Sequence, residues 1–277
     1  MDLFKPNYAT GYAKNASESA NPNLWDGLVG AWMPSLGVTG ETLRDVSGNG
    51  NHGTLTNMDA ATDWVATSKG LALDFYPSSQ SVTVPSDPKW SLHNAKNATI
   101  SFYVNINSFL NAGTIQERFL TTSNNAFGAG SNWELGVYTT KTLVFRTESL
   151  FTYGTKTLTT KRWYHVVYRI SGGSASFYLD GEKDFASSNV TQILQANNYP
   201  LIISGLSGRE LNGQITGVSI YHRALSPSEI KQLYVDSLAP FKQRRRVIAS
   251  TQAPPAFNNW YAQPGRKNRI IGSGVYV

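Results

Sequence analysis

The chain of 277 residues has no cysteine, which excludes a disulfide framework, a thiolate metal site and a cysteine nucleophile together. Charge is also scarce. Only 15% of residues are Asp, Glu, Lys or Arg, against roughly 25% in an average globular protein, which argues against a helical bundle. No run approaches the roughly 20 apolar residues of a membrane-crossing helix. The opening Met1-Asp2-Leu3-Phe4-Lys5-Pro6 lacks the charged-then-apolar order of an export signal, so a soluble chain without a membrane partner is expected. What remains is 40% hydrophobic and 12% aromatic residues, with 24 Gly and 12 Pro. That is the composition of strands and turns, and it is enough to fill a core and exclude whole-chain disorder.

The excess positive charge sits at one end. From Ala239 to Val277 there are seven basic residues and no acidic one, while the other 238 residues hold 17 basic and 18 acidic side chains. Residues 1–24 are polar and poor in apolar periodicity, so they read as an N-terminal arm. Residues 25–238 read as the folded domain, and 239–277 as a basic C-terminal arm. That second arm interleaves Lys242, Arg244, Arg245, Arg246, Arg266, Lys267 and Arg269 with Phe257, Trp260 and Tyr261. Its aromatic and aliphatic groups favour docking on an acidic protein surface over phosphate binding, so nucleic acid is the less favoured partner.

The middle of the chain is β in pattern. Ile100, Phe102, Val104 and Ile106 alternate with Ser101, Tyr103 and Asn105, which predicts a strand with one buried face. At least seven further short runs of this kind are separated by Gly, Asn and Pro. Asp180-Gly181 after Ser176-Phe177-Tyr178-Leu179 is a two-residue hairpin signal, because a type I′ turn needs positive φ at both positions. One helix is predicted after Ser226-Pro227-Ser228-Glu229, where a Ser cap, a first-turn Pro and a Glu three residues on precede Ile230, Leu233 and Tyr234. Strands at this spacing without intervening helices predict an all-β antiparallel sandwich or jelly roll with one short C-terminal helix.

Six ordered motifs carry a resemblance. They are Gly27-Leu28-Val29-Gly30-Ala31-Trp32, Asp45-Val46-Ser47-Gly48-Asn49-Gly50-Asn51-His52-Gly53-Thr54-Leu55, Leu71-Ala72-Leu73-Asp74-Phe75 with Val82-Thr83-Val84-Pro85, Thr99-Ile100-Ser101-Phe102-Tyr103-Val104, Trp163-Tyr164-His165-Val166 with Tyr178-Leu179-Asp180-Gly181, and the close from Leu211 to Ser226. In this order they resemble the laminin G-like type of concanavalin A-like jelly roll. The polar arm and basic tail make the whole chain similar to laminin G-like structural proteins of tailed phages. This likeness implies a non-enzymatic component of a virion, assembled in the host cytoplasm. Its arms would dock on the major capsid protein and on further copies of the chain. The alternative is a carbohydrate-binding module used for adhesion to a host or another glycan.

Relatives that cleave glycosides place paired carboxylates in an E-x-D-x-x-E pattern. That pattern does not occur, and Glu117, Glu134, Glu148 and Glu182 read as solvated surface groups, so no enzyme is expected. The histidines His52, His93, His165 and His222 read as packing or turn residues. Family members often hold a structural Ca²⁺, for which Asp45 and Asn49 are the weak candidates here. Thr216-Gly217 stands where an acidic pair would complete the site, so calcium is possible, the expected cofactor is none, and the loop reads as held by its own hydrogen bonds. Trp133, Tyr138 and Tyr153, with Asn124 and Asn125, form the candidate sugar platform, with core packing as their other reading. Asn15, Asn97 and Asn189 open N-x-S/T sequons, read as coincidental.

Overall fold

The computed structural model describes residues 11–76, 79–92, 95–109, 115–122, 133–147, 150–187, 198–204 and 209–244. The chain divides into two units, Met1–Arg244 and Arg245–Val277, and every described residue belongs to the first. Strands follow in chain order as β1 (Leu28–Trp32), β2 (Thr42–Leu43), β3 (Gly53–Thr56), β4 (Trp64–Thr67), β5 (Gly70–Phe75), β6 (Ser81–Val84), β7 (Asn97–Ile106), β8 (Ile115–Thr122), β9 (Trp133–Tyr138), β10 (Thr142–Thr147), β11 (Phe151–Thr157), β12 (Trp163–Ser171), β13 (Ser174–Leu179), β14 (Glu182–Ser187), β15 (Leu201–Ile203) and β16 (Gly213–Tyr221).

They form two antiparallel sheets. The first is ordered β14-β13-β12-β7-β16-β5-β4, with β1 also paired to β16, and the second β11-β10-β9-β8-β15-β6-β3-β2. The expected antiparallel sandwich is therefore what the chain builds. Its main core lies between the sheets, where Ile100, Phe102, Val104 and Ile106 of β7 meet Phe119, Trp133, Leu135 and Phe145. The hairpin at Asp180-Gly181 has φ of 54° and 78°, as a type I′ turn requires, and joins β13 to β14.

The outward face of β7 departs from expectation. Ser101 and Tyr103 are buried as well, because the helix α1 (Pro227–Val235) lies over them and Tyr103 donates its hydroxyl to the Leu233 and Tyr234 carbonyls. The helix begins as predicted. Ser226 Oγ accepts from Glu229 N, and the Glu229 carboxylate accepts from Ser226 N, so the capping box satisfies two otherwise orphaned donors. A second apolar cluster forms on this side of the first sheet, among Val167, Tyr178, Tyr221, Ile230 and Leu233 with Tyr12, Leu24 and Phe241.

Parts of both expected arms meet on this side. Residues 11–24 and 239–244 are bonded to each other. Ala13 N donates to Phe241 O, Ala20 N to Lys242 O and Arg244 N to Glu18 O. Ser19 Oγ and Trp25 Nε1 both donate to Pro240 O, at 2.6 Å each. Between them Phe241 meets Tyr12 and Trp25 edge to face at 6.4 and 5.4 Å. Each segment is too polar to fold alone, but together they bury Tyr12, Leu24 and Phe241 and satisfy their own backbones.

Candidate functional site

The second sheet turns one face to the core and the other away from it, and strand register decides what meets on the outer face. Trp133, Leu135 and Val137 of β9 and Leu143 and Phe145 of β10 point inward. Glu134 and Tyr138 alternate with them and point outward. Register then aligns Thr121, Glu134, Arg146 and Phe151 as one row across β8, β9, β10 and β11. The next row holds Arg118, Gly136, Val144 and Tyr153. Gly136 is required by close approach, since a Cβ there would stand 2.1 Å from the Glu117 carbonyl oxygen.

At the centre is a buried ion cluster. Arg118 Nη2 reaches Glu134 Oε1 at 2.5 Å and Arg146 Nη1 lies 3.8 Å from Oε2. Burial pushes the Glu134 carboxyl up, while the guanidinia of Arg118, Arg146 and Arg209 pull it down. Glu134 and Glu117 are fully buried, which corrects their reading as solvated surface groups. Glu182 is the exposed member, paired with Lys231 at 2.8 Å, and Glu148 lies outside the described residues.

Aromatic rings flank this cluster. Tyr138 and Tyr153 meet edge to face at 4.8 Å, and Tyr153 and Phe151 stack at 5.9 Å. The Arg146 guanidinium lies 5.1 Å from the Phe151 ring centre. Burial and the hydrogen bond to Tyr138 hold the Tyr153 phenol above its usual range. Two of the three suggested platform residues are thus brought together. Trp133 takes the other reading, core packing. Its ring is fully buried, stacks on Phe145 at 5.8 Å and donates Nε1 to the Trp90 carbonyl. The alternation of β9 sends it to the side opposite Tyr138. Asn124 and Asn125 lie outside the described residues.

The cluster around Glu134 escaped sequence reading. Period-2 alternation puts Glu134 and Tyr138 on one face, but pairing Glu134 with Arg146 needs the β9–β10 register. Arg209 joins from a distant segment, its carbonyl accepting from Arg118 N at 2.9 Å.

The loop candidates for calcium behave differently. Asp45 Oδ1 accepts from Ala31 N and Ser47 N, and Oδ2 from Asn51 N. Asn49 Nδ2 donates to Ser47 Oγ and Leu28 O, and His52 Nδ1 accepts from Asp45 N. The carboxylate is spent on the backbone of its own loop and of β1, and Thr216 donates its hydroxyl to Leu71 O. These residues do not fit a hard cation that needs several free carboxylate oxygens.

The remaining candidates are structural or undescribed. His165 Nε2 lies 2.9 Å from Ser101 Oγ, but the pair is sealed beneath α1 with the rings of Tyr103 and Tyr234 against the imidazole. His222 Nε2 lies 3.1 Å from Lys89 O, and His93 lies outside the described residues. Asn15 Oδ1 accepts from Ser17 N and Glu18 N, and Asn97 Oδ1 from Gly172 N. Lys242 pairs with Asp236 and Arg244 N with Glu18 O. Asn189, Arg245, Arg246, Phe257, Trp260, Tyr261, Arg266, Lys267 and Arg269 lie outside the described residues.

Comparison with known proteins places this geometry in a wider group. In fold the chain is similar to domain 4 of AbnA, a GH43 extracellular arabinanase from Geobacillus stearothermophilus, solved with arabinotriose. That match has TM-score 0.57 and 17% identity, covering 75% of this chain and 98% of the other. It is also similar to the binding domain of Paraclostridial Mosquitocidal Protein 1, with TM-score 0.58 and 20% identity over 76% of this chain and 52% of that one. Trypanosoma rangeli sialidase matches with TM-score 0.54 and 18% identity over 75% of this chain, which spans about a third, 32%, of the sialidase. At such identities the likeness is one of fold. No curated protein matches the chain in sequence. The family model described as the concanavalin A-like lectin/glucanases superfamily matches residues 77–231, more than half of the chain. Together with the two antiparallel sheets, that match makes the chain a member of the concanavalin A-like lectin/glucanase superfamily.

Proposed function

We propose that the chain is a carbohydrate-binding module whose binding surface is the outward face of β9, β10 and β11. The observation that carries this reading is the grouping of Tyr138, Phe151 and Tyr153 beside the Arg146–Glu134–Arg118 cluster. Aromatic faces pack against the apolar C–H side of a pyranose, and fixed charged groups orient its hydroxyls by charge-assisted hydrogen bonds. The similarity to an arabinanase domain solved with arabinotriose and to a toxin binding domain supports the same reading.

Binding is proposed without turnover. Glycoside cleavage needs one carboxyl group free to give a proton and another free to attack or activate water, whereas Glu134 has a guanidinium against each oxygen. Hydrolysis of any glycan that the chain retains would overturn this part.

The test is a broad glycan array followed by calorimetry on each hit. Tyr153→Ala and Tyr138→Ala should each weaken a confirmed hit by about tenfold, near 1.4 kcal/mol, with melting unchanged within a few degrees. An array without signal above background would remove the reading. Docking on a virus particle is the other function suggested by sequence, and its tail residues from Arg245 onward lie outside the described ones. Mass spectrometry of purified virions that encode the chain tests it.

A further inference from the structure

Five of the six described tryptophans are spent on the fold. Trp25, Trp32, Trp64, Trp90 and Trp133 each donate Nε1 to a backbone carbonyl and pack in or against one of the two apolar clusters. Trp163 does neither. It is half-buried at the start of β12 and belongs to neither cluster. Among the described residues its indole N–H meets no acceptor and its ring meets no other ring. A large amphipathic ring left partly in water with its donor unspent suits a binding surface, because it offers contact area with little conformational freedom to lose.

Register sets what stands beside it. Trp163 pairs with Asn105, Asn105 with Gln214 and Gln214 with Asp74, so β12, β7, β16 and β5 carry one row across the outward face of the first sheet. Their neighbours Tyr164, Val104, Ile215 and Leu73 point into the core, while all four row residues are half-buried. The row lies one step beyond Tyr103 and His165, the pair that α1 covers. At the spacing of adjacent strands it is about 14 Å long. Tyr76, two residues beyond Asp74, is 67% exposed near its far end.

The polar groups of the row are linked to one another. Asn105 Nδ2 donates to Gln214 Oε1 at 3.3 Å, and the Gln214 side chain is bonded to the Asp74 carboxylate. An amide nitrogen carries two N–H groups, so Asn105 and Gln214 each keep one to donate, in line with that of Trp163. The row itself holds no cation, and its one acid has Asp63 close by, so it offers an anion nothing. The nearest bases are engaged elsewhere. Arg162 is bonded to Asp180 at 2.7 Å, and Lys69 stands 4.7 Å over the Tyr103 ring. Donors in line beside an aromatic face, without positive charge, match a neutral polyhydroxyl chain. Its C–H faces would pack on the indole and its oxygens would accept from the amides.

We infer that this row is a second saccharide site, on the sheet opposite the β9–β11 face, taking a neutral oligosaccharide along Gln214 and Asn105 with one sugar ring stacked on Trp163. It stands on its own observations and holds whether or not the β9–β11 face binds.

Disabling one face at a time separates the two. The full-length chain and its Tyr138→Ala, Tyr153→Ala double variant are titrated calorimetrically with cellohexaose, xylohexaose, mannohexaose, N-acetylchitohexaose and maltohexaose. At least one should still bind the double variant. Adding Trp163→Ala should then weaken it about tenfold or more, and Gln214→Ala about fivefold. Trp163→Phe, which keeps a ring and loses the N–H, should retain part of the affinity and guards against a folding defect in the alanine variant.

Binding that disappears in the double variant would belong wholly to the β9–β11 face and overturn the second site. Binding equal in both chains and lost with Trp163→Ala would support the row and remove the β9–β11 reading. Residual affinity that ignores both Trp163→Ala and Gln214→Ala would overturn the inference, as would silence from all five sugars. A Trp163-dependent response to a neutral Gly-Ser-Asn peptide alone would overturn the saccharide assignment.

Discussion

At the scale of single residues, burial decides what each polar group is for. His165 is buried against Tyr103, Tyr234 and Ser101. Burial, with Lys69 nearby, lowers its pKa from 6.5 to about 3. The unfolded chain therefore takes up a proton near pH 6.5 that the folded chain refuses until about pH 3. Stability is unaffected by this group above the upper value and falls as pH drops through the window, by about 1.4 kcal/mol per pH unit. Urea midpoints measured from pH 7 to pH 4 should show this slope, and His165→Gln should flatten it. An unchanged slope in the variant would assign the acid sensitivity to other groups.

At the scale of elements, helix α1 is held at its start by a network larger than the capping motif alone. The Glu229 carboxylate takes two bonds from Arg223, at 2.7 and 2.9 Å, besides the Ser226 amide. The Arg223 hydrogen bonds lead in lowering its pKa from 4.5 to about 2. Because the folded pKa is depressed, its contribution is fully present above about pH 4.5 and is lost as pH falls towards 2, for a total that solvent screening holds below about 3 kcal/mol. Ser226→Ala should cost about 1 kcal/mol at neutral pH, and Glu229→Gln more, with its deficit relative to wild type shrinking below pH 4. Chemical denaturation at several pH values checks both. This element was legible in the sequence because a capping box is local, spanning four consecutive residues. The β9–β10 pairing was not, because nothing local to Glu134 specifies Arg146 as its neighbour.

At the scale of the whole molecule, residues 11–24 and 239–244 act as one structural piece. Phe241 is buried between Tyr12 and Trp25, so Phe241→Ala should destabilise by about 3–5 kcal/mol. Truncation after Leu238 removes Phe241 and every acceptor that Ala13, Ser19, Ala20 and Trp25 use on it and its neighbours. It should lower the melting temperature by several degrees or more. Truncation after Arg244 keeps all of those contacts and is the reference. Equal melting of the two truncated chains by calorimetry would contradict the clasp.

The sequence by itself determined the sandwich, its inward-facing rows, the Asp180-Gly181 hairpin and the capped helix. Each of these follows from alternation, turn chemistry or capping within a few residues. It also marked Tyr138 and Tyr153 as a pair worth testing. Tertiary structure alone decided that Trp133 belongs to the core, that Glu117 and Glu134 are buried, that Arg118, Arg146 and Arg209 converge, and that residues 11–24 close on 239–244. The reason is physical. A strand's two faces are written in its own alternation, but which face is covered, and by what, depends on register and on segments as much as two hundred residues away, whose burial energies no local pattern encodes.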